Sequence, residues 1–386
     1  MSLFHETAQQ QKLRQAVAEM AARYGLEYYV EKARASQELI EVWEEAGKAG
    51  FLGISLPEEY GGGGAGLYEL QLVTEEFAAG GIPLLFLPVS VAVCAELIMK
   101  AGTEQQKQRW LPGFADGTAR MTFAITDPAG GCNLNRIAMT ARRDGGDWVL
   151  SGQKSLVSAV DLCDAMMVVA RVEDSATGKR PIAVFIVDRD APGVSYQLTP
   201  MAYLCSTSQF AVSLDEVRLP GDARVGDATT DQKALFAAAL NPERIAFAGW
   251  STGLGRLAID RAVQYANSRR VWNTTIGAHQ GLAHPLAVAK INLELARMAV
   301  QKAAWLYDNG QDTRGELANM AKYAAAQAAV EAVSQAVQVH GGWGLTQEYG
   351  IGVLYPMVRV ATLGPISREM LLNFVAQNTL GLEKSY

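Results

Sequence analysis

Four short segments of this 386-residue chain hold residues suited to a flat, phosphate-bearing ligand. In Thr126-Asp127-Pro128-Ala129-Gly130-Gly131-Cys132-Asn133, small residues and free amides follow the strand-like Phe123-Ala124-Ile125. Backbone of that kind can approach a ring or a phosphate closely, although taken alone it also reads as a plain turn. Gly152-Gln153-Lys154-Ser155-Leu156-Val157-Ser158 ends in a hydroxyl able to hydrogen-bond a polar ring edge, or to decorate a strand surface. Arg269-Arg270-Val271-Trp272-Asn273, with Ile276 and Gln280 after it, offers a guanidinium for pyrophosphate and an aromatic ring for stacking. Gln338-Val339-His340-Gly341-Gly342-Trp343-Gly344 exposes backbone at a helix end; this segment and the preceding one read equally well as helix ends with their caps.

The elements that must position these segments fall into three blocks. Residues 1–120 read as a helical domain: Leu13, Val17, Met20, Ala21 and Tyr24 share one helical face, and the Tyr60–Gly66 run YGGGGAG marks a loop. Residues 121–228 read as a β-barrel or sandwich, with MTFAIT, DWVLSG, AMMVVARV, IAVFIV and QFAVSLDEVRL as strands. Short turns without long crossovers favour antiparallel pairing. Residues 229–386 return to helical spacing, with Asn241-Pro242-Glu243 as an expected helix start, an alanine-rich helix from Glu316 to Val339 and a last helix from Ser367 to Leu380. The expected class is α+β in the order helices, β-domain, helical bundle.

Composition narrows the function. The chain is 49% hydrophobic and 19% charged, and no apolar run reaches the roughly 18–20 residues that span a bilayer. The first residues, MSLFHETAQQQKLRQ, lack the pattern of a secretion signal, so a cytoplasmic or equivalent reducing compartment is expected. Cys94, Cys132, Cys163 and Cys205 form no CxxC pair, and His5, His279, His284 and His340 lack ligand spacing, which speaks against disulfides and metal. A net charge of −6 supplies no general basic surface for nucleic acid.

Together and in this order, the segments resemble the acyl-CoA dehydrogenase family over nearly the whole chain. FLGISLPEEYGG from Phe51, FAITDPAGG from Phe123, LDEVRLP from Leu214, NPERIAFAG from Asn241 and QVHGGWG from Gln338 carry the resemblance. It implies an N-terminal helical domain, a middle β-domain and a C-terminal four-helix domain that forms homodimers or homotetramers. It implies FAD as cofactor and an electron-transfer flavoprotein as electron acceptor. Phe123, Ile125, Thr126, Gly131, Cys132 and Ser158 would line the isoalloxazine side. Arg269, Trp272, Gln280, Gln338, Gly341 and Gly342 would contact the adenosine and pyrophosphate portion, some from a neighbouring subunit. Arg244, with Cys132, would meet the acyl thioester, carried by coenzyme A or an acyl carrier protein.

The chain departs from the family pattern where chemistry is expected. The commonest family base is a glutamate in a Tyr-Glu-Gly-Thr loop, and Pro365 stands in its place. Members resembling the isovaleryl- and long-chain-type dehydrogenases carry the base immediately before an arginine instead, which here is Glu243 before Arg244. Glu243 equally suits the first turn of a helix as a dipole partner, and Glu369 is a weaker alternative base. Leu156 replaces a tryptophan, Trp272-Asn273 replaces Phe-Gly, Cys132-Asn133 replaces Ser-Asp and Cys205 replaces an arginine. These changes point to a reshaped pocket for a branched, cyclic or polyketide-derived acyl group. A catalytically inactive or hetero-oligomeric flavin-binding relative is the alternative.

Overall fold

Thr7 and Thr103 begin their helices in the same way. Each hydroxyl accepts from the amide three residues on, and the glutamine at that position returns a bond to the threonine amide, closing a capping box. The computed structural model describes residues 6–173, 180–227, 229–230, 232–312 and 315–384. Its first block comprises α1 (Ala8–Arg34), α2 (Ile40–Lys48), α3 (Leu67–Ala79), α4 (Phe86–Val89), a π-helical segment Ser90–Ala95, α5 (Glu96–Ala101) and α6 (Glu104–Asp116).

The second block is an eight-stranded sheet of β1 (Met121–Ala124), β2 (Thr140–Asp144), β3 (Asp147–Ser158), β4 (Ala165–Glu173), β5 (Ile182–Asp188), β6 (Val194–Thr199), β7 (Gln209–Leu219) and β8 (Arg224–Val225). The order is β6-β7-β3-β2-β4-β5-β8, with β1 on β4. Pairing is antiparallel as expected, except that β4 runs parallel to β1 and β2. The β2–β3 hairpin supplies the long connection that a parallel pair needs. Strand β4 is apolar on both faces because both are covered. Ala165, Met167 and Val169 join Leu97, Trp110 and Phe114 of the first helical block, while Met166, Val168 and Ala170 meet Trp148, Phe185 and Phe210.

The third block holds α7 (Gln232–Ser268), a small hairpin of β9 (Arg270–Val271) and β10 (Thr274–Thr275), α8 (Gln280–Asp308), α9 (Glu316–His340), α10 (Ile351–Leu363) and α11 (Arg368–Phe374), the last continuing as a π-helical turn Val375–Thr379. Helix α7 does not start at Asn241 as expected; it runs through Pro242. Tertiary packing of Leu235 and Phe236 on the sheet-side core supports the extra turns, and the Asn241 side chain accepts from Arg244 Nη1 at 2.8 Å. Both helical blocks share one core, in which Val17, Leu70 and Phe77 cluster with Leu254, Val300 and Val333. Two adjacent buried carboxylates on α3 lock this junction. Glu75 takes Arg14 of α1 at 3.1 Å, Arg256 of α7 at 3.1 Å and Arg297 of α8 at 2.5 Å, and Glu76 shares Arg14 and Arg256. Among the described residues no helix is long and apolar enough to cross a membrane.

Candidate active site

The structure joins the first two sequence segments through a buried ion pair. Lys154 and Asp127 have side chains 0% and 1% exposed and pair directly. Lys154 Nζ also donates to the Ile125 carbonyl at 3.0 Å, and the Ser155 amide donates to the Thr126 carbonyl at 2.8 Å. The second carboxylate oxygen of Asp127 accepts from the amides of Ala138 and Met139 at 2.5 and 3.0 Å. Burial pushes the Lys154 ammonium pKa down while Asp127 opposes that shift. The turn Thr126–Asn133 is therefore pinned at its Thr126–Asp127 end and open at Gly131. A Cβ added at Gly131 would meet nothing within 4 Å, and Cys132 is an exposed free thiol.

Strand β3 is irregular here. Its register against β7 slips between Lys154 and Val157, and Leu156 takes the left-handed conformation, φ 53°, with 55% of its surface exposed. A bulge of this kind turns a lysine into the core and leaves the next apolar residue facing out. At the strand end Ser158 Oγ accepts from Gln209 Nε2 at 3.0 Å. Phe123 and Ile125 are half-buried beside it.

Glu243 sits on α7 and is 6% exposed. Among the described residues it accepts no hydrogen bond, so burial dominates and pushes its carboxyl up to about 8, with Arg244 and Lys322 opposing the shift. Glu369 has the opposite surroundings. It is exposed, and its own backbone amide and Arg368 hold its carboxyl below the usual range. A cavity of about 950 Å³ is lined by the Gly130–Arg136 turn, by Asn319, by Met370, Asn373 and Phe374 of α11, and by Arg244, the residue after Glu243 on α7; Glu243 itself is not in its lining. That volume suits a large organic ligand. Pro365 occupies the turn between α10 and α11 and offers no proton acceptor.

The remaining expected site residues lie elsewhere on the chain. Arg269 borders a second cavity of about 450 Å³ with Arg261, Tyr265, His340 and Tyr349. Trp272 stands at the tip of the β9–β10 hairpin, 88% exposed. Gln280 is exposed at the start of α8; Gln338, Gly341 and Gly342 are exposed at the end of α9, where a Cβ on either glycine would meet nothing within 4 Å. Arg244 lies on α7 and Arg269 directly follows its last residue, 25 residues on, which at ~1.5 Å per residue is about 37 Å. One cavity of the chain thus brings together Gly131, Cys132 and Arg244, and another brings Arg269 to His340, next in sequence to Gly341.

Sequence reasoning missed Asp127, Lys154 and Lys322 as organising residues. A lysine between the apolar Trp148–Leu150 and Leu156–Val157 of β3, and another among Ala318, Ala321, Ala325 and Ala326 on α9, was the available signal.

A helical block, a β-domain and a helical bundle around a shielded carboxylate form the frame of a three-domain oxidoreductase. Family models for the acyl-CoA dehydrogenase N-terminal, middle and C-terminal domains match residues 7–118, 122–210 and 234–380. The chain is 55% identical over 384 residues to acyl-CoA dehydrogenase FadE12 of Mycobacterium tuberculosis, covering 99% of each. It is 31% identical over 327 residues to the caffeyl-CoA reductase–Etf complex subunit CarC of Acetobacterium woodii, covering 84% of this chain and 85% of that one. A glutaryl-coenzyme A dehydrogenase in complex with glutaryl-CoA superposes with a TM-score of 0.94 at 27% identity, covering 99% of this chain and 98% of that one. The chain belongs to the acyl-CoA dehydrogenase family, whose members are FAD-dependent oxidoreductases.

Proposed function

We propose that this protein dehydrogenates an acyl thioester between its α- and β-carbons, with Glu243 as the base. The observation that carries the reading is a buried carboxylate that accepts no hydrogen bond among the described residues, one residue from the arginine that lines the large cavity. Desolvation gives such a group the basicity to take a weakly acidic C–H. Bound FAD supplies the acceptor for the β-hydride. Glu243 takes the α-proton, the C–H electron pair becomes the new double bond, and the carboxylate leaves the step as a neutral acid in a site that favours neutrality. Arg244, with Cys132 and the Gly131 turn, borders the space for the thioester, and α11 closes the other wall. Phe123, Ile125, Thr126 and Ser158 fit the ring side of the cofactor, since the turn they flank is pinned by Asp127 and open at Gly131. Electrons then leave to an electron-transfer flavoprotein, and the cytoplasm suits four cysteines that carry no disulfide.

Anaerobic mixing with a panel of straight, branched and cyclic acyl thioesters tests the reading. At least one should bleach the flavin. A flavin-loaded protein that no thioester reduces would leave only the non-catalytic relative, the reading that Pro365 favours. The pH dependence is equally specific. Glu243 must be ionised to act, so at limiting substrate the reduction rate should climb about tenfold per unit below pH 8 and level off above it. A limb near the ordinary carboxylate range would assign the base elsewhere.

The distance along α7 supports a cofactor site shared between copies. Arg269, Trp272, Gln280, Gln338, Gly341 and Gly342 of one copy would hold the adenosine and pyrophosphate of the cofactor whose ring lies against another. Helix α8 presents an unpaired apolar stripe, Val288, Ile291, Leu295 and Met298, each more than half exposed at helical spacing. A second copy covers it in the proposed homodimer or homotetramer. Dilution followed by sedimentation and flavin fluorescence should therefore show FAD release coinciding with dissociation; a monomer that keeps its flavin would refute the shared site.

A further inference from the structure

Asn319 stands on the alanine-rich helix α9 and is 2% exposed. Its backbone amide donates to the Gly315 carbonyl at 3.0 Å, but among the described residues its side chain makes no hydrogen bond, and it lines the 950 Å³ cavity. A buried carboxamide is costly to leave unpaired, so a group that enters the cavity and pairs with it gains affinity. Arg244 lines the same cavity from α7. Its Nη1 donates to Asn241 Oδ1 at 2.8 Å, and among the described residues no carboxylate hydrogen-bonds the guanidinium, which leaves further N–H donors for a ligand.

Both side chains belong to the inner end of the cavity. Gly131, Cys132, Asn133 and Arg136 are exposed and mark its mouth, whereas Asn319 is buried and Arg244 half-buried. A thioester entering here leaves its carrier in the mouth and sends its acyl group inward, past the apolar Ile366, Met370 and Phe374. Apolar walls with a few converging polar groups suit a hydrocarbon that bears one hydrogen-bonding group.

We propose, on the reading that this cavity takes the thioester to be dehydrogenated, that Asn319 with Arg244 determines specificity by binding a keto or hydroxyl oxygen on the acyl chain. The substrate is then an oxygenated acyl thioester rather than a plain alkyl one. The oxygen lies past the β-carbon, because the α- and β-carbons are the ones that lose hydrogen. Arg244 donates to it, and the Asn319 carboxamide either donates to a keto oxygen or accepts from a hydroxyl. A neutral oxygen fits better than a carboxylate. Glu243, next to Arg244, must itself ionise to act, and a second anion close by would oppose that ionisation.

Three coenzyme A thioesters of one chain length test this on the flavin-loaded protein: one alkyl, one with a keto or hydroxyl oxygen past the β-carbon, and one ending in a carboxylate. At limiting concentration the oxygenated thioester should reduce the flavin about tenfold faster than the alkyl one, or more, and the carboxylate should show no such gain. In Asn319→Leu the ratio of oxygenated to alkyl rates should fall to near one. An asparagine that serves only the fold would lower both rates alike and keep the ratio, which overturns the proposal. So does a wild type that shows no preference for the oxygenated chain or prefers the carboxylate, a result that decides the matter even if Asn319→Leu does not fold. Equal losses on both chains that vanish with a truncated N-acetylcysteamine carrier would assign Asn319 to the carrier arm and also overturn it. Failure of the dehydrogenase reading looks different: no thioester would bleach the flavin, while equilibrium dialysis would still show tighter binding of the oxygenated chain and its loss in Asn319→Leu.

Discussion

Glu243→Gln should abolish thioester-driven flavin reduction while leaving the protein yellow, folded and able to bind substrate. The substitution keeps the shape of the side chain in a site that is 6% exposed, so packing is retained. It removes the proton acceptor, and a positioned general base accounts for about 10²–10⁴-fold in rate. The loss should lie at the upper end, because the other candidate, Glu369, is exposed and held ionised and weakly basic by its backbone amide and Arg368. Stopped-flow absorbance under anaerobic conditions reads the rate, and equilibrium titration with a substrate analogue reads binding. Bleaching at more than a tenth of the wild-type rate would remove Glu243 from the mechanism.

Asp127→Ala should cost the protein both its stability and its colour. The change strands the Lys154 ammonium in a site with 0% exposure, with one carbonyl left to accept from it, and deprives the Ala138 and Met139 amides of their acceptor. Removing one partner of a buried ion pair typically costs about 3–5 kcal/mol. The flavin should be lost as well, since the Thr126–Asn133 turn is anchored through this pair. Adding Lys154→Met removes the stranded charge, so the double variant should regain most of the stability while staying poor in FAD. Urea unfolding and flavin absorbance separate the two effects. A single variant as stable and as yellow as the wild type would mean that the turn is held by something else.

These two sites differ in how visible they were before any coordinates. Strands β4 and β5 announced themselves as unbroken apolar runs because helices or sheet partners cover both faces. Strand β6 gave no such signal; it is an edge strand whose residues are largely exposed, and among the described residues only β7 pairs with it. Strand β2 is short and ends in Arg142, Arg143 and Asp144, all exposed. The start of α7 was misplaced because Asn-Pro-Glu has the local chemistry of a cap, whereas packing of Leu235 and Phe236 carries the helix through the proline. In the site, the open turn at Gly131 and the hydroxyl of Ser158 were legible from residue type. The roles of Lys154 and Lys322 were not. A lysine normally reads as solvated, and what buries these two is a set of carbonyls supplied by Ile125, Ala361 and Gly364, distant in sequence. Glu243 could be nominated from its place before Arg244, but its shielding depends on residues from α9 and the Ser90–Ala95 segment that only the fold brings near.

The roughly 37 Å of helix between Arg244 and Arg269 has a genetic consequence. In an assembly where each cofactor spans two copies, a chain damaged at its Arg269 end spoils a neighbour's centre while its own Glu243 stays intact. A faulty allele would then act dominantly over a sound one. Two alleles broken at opposite ends of α7 would complement each other, because some mixed pairs would bring both intact ends to the same flavin.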